Sequence, residues 1–335
     1  MRYSRLTKVK PGDIAAAPVF GAGGQILVKA GGKLTSRIIQ RLLELGFVGI
    51  CIEDNAFADI ICSSTVSAQT KFEALQALDN KDIKSCVKIS ESIADELLSG
   101  DGVVRASLDE LNSYDVATGT HSFSVAVYAG TLAMLYGYNF QRIKQVVSAS
   151  LLHDLGKSQI DINIINKPGK LTAEEYEEVK KHPSIGYEML KGMESIDSVV
   201  RVSILQHHEN SDGTGYPSGL LDEDIYEYAK IIHICDVYDA MISQRCYKEA
   251  KSPTSVIAYL QSEAGKMFNE QLVKIFMRSI APYPEGSEVL MSNGENAIVK
   301  KICPDHPTEP IVKFFSGEEV DTHKDGLYIV NFARS

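Results

Sequence analysis

Leu151-Leu152-His153-Asp154-Leu155-Gly156-Lys157 sets a histidine and an aspartate side by side at the end of an otherwise apolar run of helical period. Counting back along that helix, Ile143, Val147 and Ser150 fall on the face of Asp154, and Val146 and Ala149 on that of His153, so both polar side chains point inwards. A carboxylate among apolar side chains is costly unless it is paired or metal-bound. Imidazole and carboxylate together make a good donor set for first-row metals, and the two oxygens of an aspartate can bridge a pair of ions. A metal site inside a helical domain is the first expectation.

With 335 residues, 44% of them hydrophobic, the chain can build one large core and one or two small domains. Charged residues make up 23% and the formal net charge is -10, with no basic run to offset the deficit. That argues against a general binder of nucleic-acid polymers, so an anionic substrate must be held by local cations or metals. The six cysteines, Cys51, Cys62, Cys86, Cys235, Cys246 and Cys303, show no C-x-x-C pairing, and several sit in apolar runs as reduced thiols do; a cytoplasmic location is expected. No apolar segment approaches the roughly 20 residues that span a bilayer, and residues 1–10 lack the apolar stretch of a signal peptide. A soluble, unsecreted protein with no membrane partner is expected.

Residues 1–66 mix glycine-rich turns with short β-branched runs such as Ile26-Leu27-Val28 and Val48-Gly49-Ile50-Cys51-Ile52, and predict a small α/β module. Its one clear helix spans about residues 36–45, with Thr35 as N-cap and Gly46 as stop. Gly32-Lys33-Leu34 lacks the upstream glycine and the Ser/Thr of a P-loop, so these glycines read as turns. Residues 67–105 have helical pattern interrupted at Asp79-Asn80-Lys81-Asp82, a connector helix pair. From residue 106 to 279 nearly every segment is of helical period. Beyond Pro282 and Pro284, the runs Glu288-Val289-Leu290, Ala297-Ile298-Val299, Ile311-Val312-Lys313-Phe314 and Leu327-Tyr328-Ile329-Val330 predict the strands of a small β module at residues 282–335.

Six of the eight histidines lie in the helical middle, five of them at positions that can converge. His121 heads a stripe with Val125, Tyr128, Ala129 and Leu132; taken alone, such a residue is more often a core histidine with its hydrogen bonds satisfied. His182 ends a helix opened by the capping box Thr172/Glu175, and Pro183 can open the next. His207 and His208, about 100° apart if helical, can address two neighbouring ions. Asp236 shares a helix face with Ala229, Ile232 and Ala240, a second carboxylate turned towards an apolar core; a buried aspartate accepting hydrogen bonds is the plainer alternative. His233, one turn from Asp236, is a candidate to support a ligand from behind. His306 and His323 lie in turn-rich parts of the terminal module and read as surface residues.

Taken in order, His121, His153-Asp154, Lys157, His182, His207-His208, Gly215-Tyr216-Pro217 and Asp236 resemble the HD-GYP family of cyclic-di-GMP phosphodiesterases over residues 106–279, about half of the chain. The phrases Lys167-Pro168-Gly169-Lys170-Leu171-Thr172, His207-His208-Glu209 and Asp212-Gly213-Thr214-Gly215-Tyr216-Pro217 are shared with it as well. The resemblance implies an all-helical HD-type catalytic domain at residues 106–281 and a mainly α protein. It implies a binuclear non-haem centre of iron or manganese held by His121, His153, Asp154, His182, His207, His208 and Asp236. Asp154 and Lys157 inherit catalytic roles; Lys157, Gly215, Tyr216, Pro217, Arg245 and Lys248 inherit contacts to the cyclic dinucleotide. Without that family context, Lys157 reads as a helix-end cation, and Arg245 and Lys248 as part of a solvated loop.

Three departures bear on function. Some members carry a glutamate four residues before the first histidine and hold a third metal; Ala117 stands there, so two ions are expected, with linear pGpG as the product and GMP less so. Cys246 replaces a usual proline, and Asn269-Glu270 a usual Asp-Pro. The activity implied is cyclic-di-GMP hydrolysis in bacterial second-messenger signalling, a setting that allows signalling-protein partners and a homodimer. Two rivals stand beside it, a cyclic-di-GMP receptor with little turnover and another nucleotide phosphohydrolase of the HD superfamily.

Overall fold

The computed structural model describes residues 1–21, 25–47, 49–61, 64–105, 118–167, 169–243 and 251–333. Ala117, Arg245, Cys246 and Lys248 lie outside them.

The fold is built around the helix Thr118–Leu135, whose residues 121–133 are buried on every face. Such a helix needs neighbours on all sides, and small residues let them close in. A Cβ on Gly130 would lie 2.5 Å from Leu97 Cδ1 and 2.7 Å from Val147 Cγ2, so glycine there permits the approach of the helices Ile83–Leu98 and Phe140–Leu152. Helices Ser198–Gln206, Glu227–Ile242 and Glu270–Ser279 complete the packing. One continuous core runs through them, from Ala74 and Ile93 to Val125, Val147, Ile204, Ile232 and Phe276. The expected connector pair, Ala68–Asp79 and Ile83–Leu98, shares this core.

Local signals account for the helix starts. Asn139 accepts from Arg142 N at 3.0 Å, and Thr172 with Glu175 forms the capping box. Asn269 caps Glu270–Ser279 by accepting from Leu272 N, and its amide donates to Asp222 at 3.0 Å, so the Asn-Glu departure leaves a normal helix start.

At the N-terminus, Arg2–Arg5 pairs antiparallel with Gly49–Ile52, Val19–Phe20 pairs with Ile26–Val28, and one helix, Ser36–Glu44, is capped by Thr35. At the C-terminus five antiparallel strands run in the spatial order Glu319–Asp321, Ile311–Phe314, Asn296–Lys301, Glu288–Met291, Ile329–Phe332. Alternation along Asn296–Lys301 sends Ala297 and Val299 into the sheet's own core, while Ile298 packs on the other face against Phe57 and Ile60 of the N-terminal part. The chain is thus mainly α, with a small α/β part and a five-stranded sheet at its ends.

The sequence pattern misses the short edge strand Glu319–Asp321, whose single apolar residue, Val320, pairs with Val312. The last strand is Ile329–Phe332 and not residues 327–330. Its register, with a bulge at Ile329/Asn331, is set by pairing with Val289–Met291, which local periodicity does not encode.

Candidate metal centre

The seven side chains singled out in the sequence meet at one place. His153 is the C-cap of Phe140–Leu152 and Asp154 follows as the chain tightens into the 3-10 turn Leu155–Gln159. A Cβ on Gly156 would overlap the carbonyl oxygen of His182, so the glycine of the His-Asp phrase lets this turn lie directly against the helix His182–Leu190. His182 opens that helix, with Pro183 beside it, and does not close the preceding one, because Ala173–Val179 ends before it. Likewise Ser198–Gln206 stops before His207. The turn that follows leaves the His207 and His208 rings with centroids 4.1 Å apart. His121 and Asp236 come from the facing helices Thr118–Leu135 and Glu227–Ile242.

Three overlapping groups of donor atoms result: His121, His153 and Asp236; His153, Asp154 and His207; His182, His207 and His208. His153 and His207 belong to two groups each. Asp154 Oδ1 lies 3.4 Å from His182 Nε2 and 3.6 Å from His153 Nε2, and the His182 and His207 Nε2 atoms are 3.2 Å apart. His153 and His182 are fully buried.

Orientation of the rings is set from behind. The Nδ1 atoms of His153, His182 and His207 lie 2.6, 2.8 and 2.7 Å from the carbonyl oxygens of Ser150, Val179 and Ile204, each three residues earlier. A carbonyl can only accept, so Nδ1 carries the proton and the Nε2 lone pair of all three faces the centre. Burial lowers the pKa of these rings, His182 to about 4, so they are neutral and able to donate to a cation.

Burial alone would raise the carboxyl of Asp154. Lys157, whose Nζ is 2.7 Å from Oδ2, outweighs it, with the charge of His121 adding to the effect, and holds the group well below the usual carboxylate range. Asp236 is held down likewise, against burial, by the hydrogen bond to His121 and by the charge of that ring. His121 behaves differently. Burial would lower it, but hydrogen bonds to Asp236 and Asp239 raise it to about 9, so as an imidazolium it donates Nδ1–H to Asp239 and Nε2–H to Asp236. A metal taking Nε2 must displace that proton.

Among all these groups, His153 Nε2 and Asp154 Oδ1 are buried with no hydrogen-bond partner within the described residues. Leaving two such atoms dry and unpaired is expensive, and a divalent ion between them satisfies both at once. The donor set, imidazole and carboxylate without thiolate, suits a first-row divalent metal.

The loop carrying Gly215-Tyr216-Pro217 forms the rim. Glu209, only 2% exposed, accepts from Ser218 N at 2.7 Å and from Leu220 N at 2.9 Å, which straps the loop to the end of the histidine turn. A Cβ on Gly215 would overlap Asn210 N and Glu209 Cα, so only glycine fits that close approach. Tyr216 then stacks on His208, with centroids 4.8 Å apart and planes 28° apart. Burial raises its pKa, so the hydroxyl stays protonated and a donor.

Lys157 sits at the centre, its Nζ donating to Asp154 Oδ2. Arg245 and Lys248 lie outside the described residues. His233 stands behind the site with Nε2 3.0 Å from Asn210 Oδ1, and in none of the donor groups. Two residues escaped the sequence reading. Asp239 Oδ2 lies 2.6 Å from His121 Nδ1 and orients that ring; its position one helical turn after Asp236 was the available signal. Lys180 Nζ lies 5.4 Å from the Tyr176 ring centre and 5.9 Å from that of Tyr216, a cation at the rim without any motif of its own.

Residues 106–272 match the family model described as HD domain. The cyclic di-GMP phosphodiesterase response regulator RpfG of Xanthomonas campestris is 35% identical over 208 residues, 57% of this chain and 55% of that protein. The cyclic di-GMP phosphodiesterase PA4108 of Pseudomonas aeruginosa is 36% identical over 193 residues, 58% of this chain and 46% of that one. The chain therefore spans about half the length of these relatives. A solved structure, Bd1817, an HDG"Y"P protein from Bdellovibrio bacteriovorus, overlays with a TM-score of 0.53 at 16% identity, covering 82% of this chain and 97% of the other, a likeness of fold.

Proposed function

Residues 106–272 of this chain belong to the HD domain family, and on that premise we propose that the protein is a metal-dependent phosphodiesterase that hydrolyses cyclic-di-GMP to linear pGpG. The observation that carries the proposal is the overlap of three buried or largely buried donor groups, with His153 Nε2 and Asp154 Oδ1 lacking a hydrogen-bond partner among the described residues. The names of the relatives supply the substrate class.

His121, His153, Asp154, His182, His207, His208 and Asp236 would hold two iron or manganese ions. Such ions, when bound, polarise a phosphate oxygen and activate water at neutral pH. The side chains do the rest. Carbonyl-anchored imidazoles present lone pairs that need no reorganisation, ionised Asp154 faces them, and Asp236 joins them once His121 gives up its Nε2 proton. Lys157 steadies Asp154 and adds positive charge where a phosphate must approach. Tyr216 offers a neutral hydroxyl and a ring face at the rim, while Arg245 and Lys248 grip the second phosphate. In a chain with net charge -10, local cations of this kind are what an anionic dinucleotide requires. Residues 106–281 form the catalytic domain in this reading, 67–105 a connector, and 1–66 and 282–335 flanking modules.

Product chromatography of the purified chain, loaded separately with iron and manganese and given cyclic-di-GMP or cyclic GMP-AMP, tests the proposal. Accumulation of pGpG from cyclic-di-GMP supports it. Tight binding of cyclic-di-GMP without hydrolysis under either metal would turn the reading into a receptor, and hydrolysis of cyclic GMP-AMP alone would change the substrate.

A further inference from the structure

Three polar side chains far apart in sequence gather on the C-terminal sheet. His306 and Glu309 lie on the loop joining Asn296–Lys301 to Ile311–Phe314, and His323 on the loop after Glu319–Asp321. The imidazoles of His306 and His323 stack with centroids 3.7 Å apart and planes 13° apart. Glu309 Oε2 lies 2.7 Å from His323 Nδ1.

The backbone beneath them is well held. His306 N donates to Cys303 O and Glu309 N to His306 O, both at 2.9 Å, so successive turns place His306 and Glu309 together. Thr322, 9% exposed, donates its hydroxyl to Pro310 O at 2.8 Å and joins the two loops at the residues next to Glu309 and His323. His323 N donates to Asp321 Oδ1, and Lys324 is taken up by Asp321 Oδ2 at 2.7 Å.

Donor atoms of the three residues lie within 4.8 Å of one another. An ion with bonds of about 2.0–2.2 Å needs its donors roughly 3–3.5 Å apart, so binding requires the exposed side chains to close in and the stacked rings to turn out of their parallel planes. A hydrogen bond explains Glu309 with His323 but leaves the convergence of His306 without a role. Two imidazoles and a carboxylate form the N2O set that zinc and its neighbours prefer, and three protein ligands leave a coordination position for water or an outside group.

We propose that His306, Glu309 and His323 form a second metal site, for a divalent first-row ion such as zinc, on the surface of the C-terminal sheet and sharing no residue with the buried centre.

Calorimetric titration of the full chain, its buried centre already loaded, with zinc(II) tests this. The unsubstituted protein should take up one zinc more than the His306→Ala/His323→Ala double variant, whose affinity should fall by at least the roughly 10–100-fold lost when even an outer partner of a metal ligand is removed. Glu309→Gln should weaken the same event without removing it. Asp154→Ala, which disables the buried centre, should retain it. Equal zinc stoichiometry and affinity in the unsubstituted protein and a folded double variant, judged by circular dichroism, would overturn the proposal.

Discussion

The two histidine clusters of this chain use the same chemistry in opposite surroundings. Around His153 and Asp154, imidazole and carboxylate are buried, each ring of His153, His182 and His207 is pinned through Nδ1 to a carbonyl, and donor atoms are left facing one another. Around His323, all three residues are exposed and one side-chain hydrogen bond, to Glu309, is made. Burial makes polar residues interdependent, because each group that leaves water must find a partner inside. At the surface, water supplies the partner and the same residues stay adaptable. The buried cluster is therefore preorganised, and changes within it should be large; around the sheet they should be small.

Asp154→Ala is the most severe break. It removes the carboxylate that faces His153 and His182 and also the partner of Lys157. Bound iron or manganese should drop to background, and hydrolysis of cyclic-di-GMP should fall on the order of 10³-fold, the scale of losing a group that organises transition-state charge. Elemental analysis beside a turnover assay reads both, and full metal retention would show that the ligand assignment is wrong.

A finer cut is Asp239→Asn, which keeps shape but removes the negative charge behind His121. Metal affinity should weaken by roughly 10–100-fold, with the fold intact, since the ring keeps its place but loses basicity. Equilibrium dialysis against a metal buffer measures it. An unchanged affinity would mean that Asp236 alone orients His121.

The smallest effect belongs to the sheet. Asp59 pairs with Lys313 and Lys300, both at 3.0 Å, beside the apolar contact of Phe57 and Ile60 with Ile298. Lys313, then Lys300, lower its carboxyl from 3.8 to about 2. A depressed folded-state value means that the stabilisation is whole above pH 3.8 and lost as pH falls through about 2. Being a solvated pair, it should be worth less than about 1 kcal/mol. Asp59→Asn should lower the melting temperature slightly at pH 6 and make no difference well below pH 2, as thermal unfolding at the two pH values would show.

Much of the buried centre was legible before any coordinates. A polar pair ending an apolar helix, and a second carboxylate on an apolar face, are anomalies that local periodicity exposes, and five of the six histidines in one helical stretch supplied the company. Asp239 was less visible because an aspartate one turn from another reads equally as a solvated helix residue. The packing role of Gly156 was not legible at all, since the carbonyl it admits belongs to His182, on another helix.

By itself, then, the sequence determined the helical class, the strap of turns and strands at either end, and which residue types were too polar for their apolar faces. These are matters of period and of desolvation, which act within a few residues. Tertiary structure alone decided that His207 and His208 leave their helix in a tight turn, that Tyr216 rests on His208, and that a late edge strand forms at Glu319–Asp321. It alone brought His323 to His306 and Glu309, because neighbouring strands, not neighbouring residues, set that separation. Strand register and loop closure are properties of the whole sheet, and no window of sequence contains them.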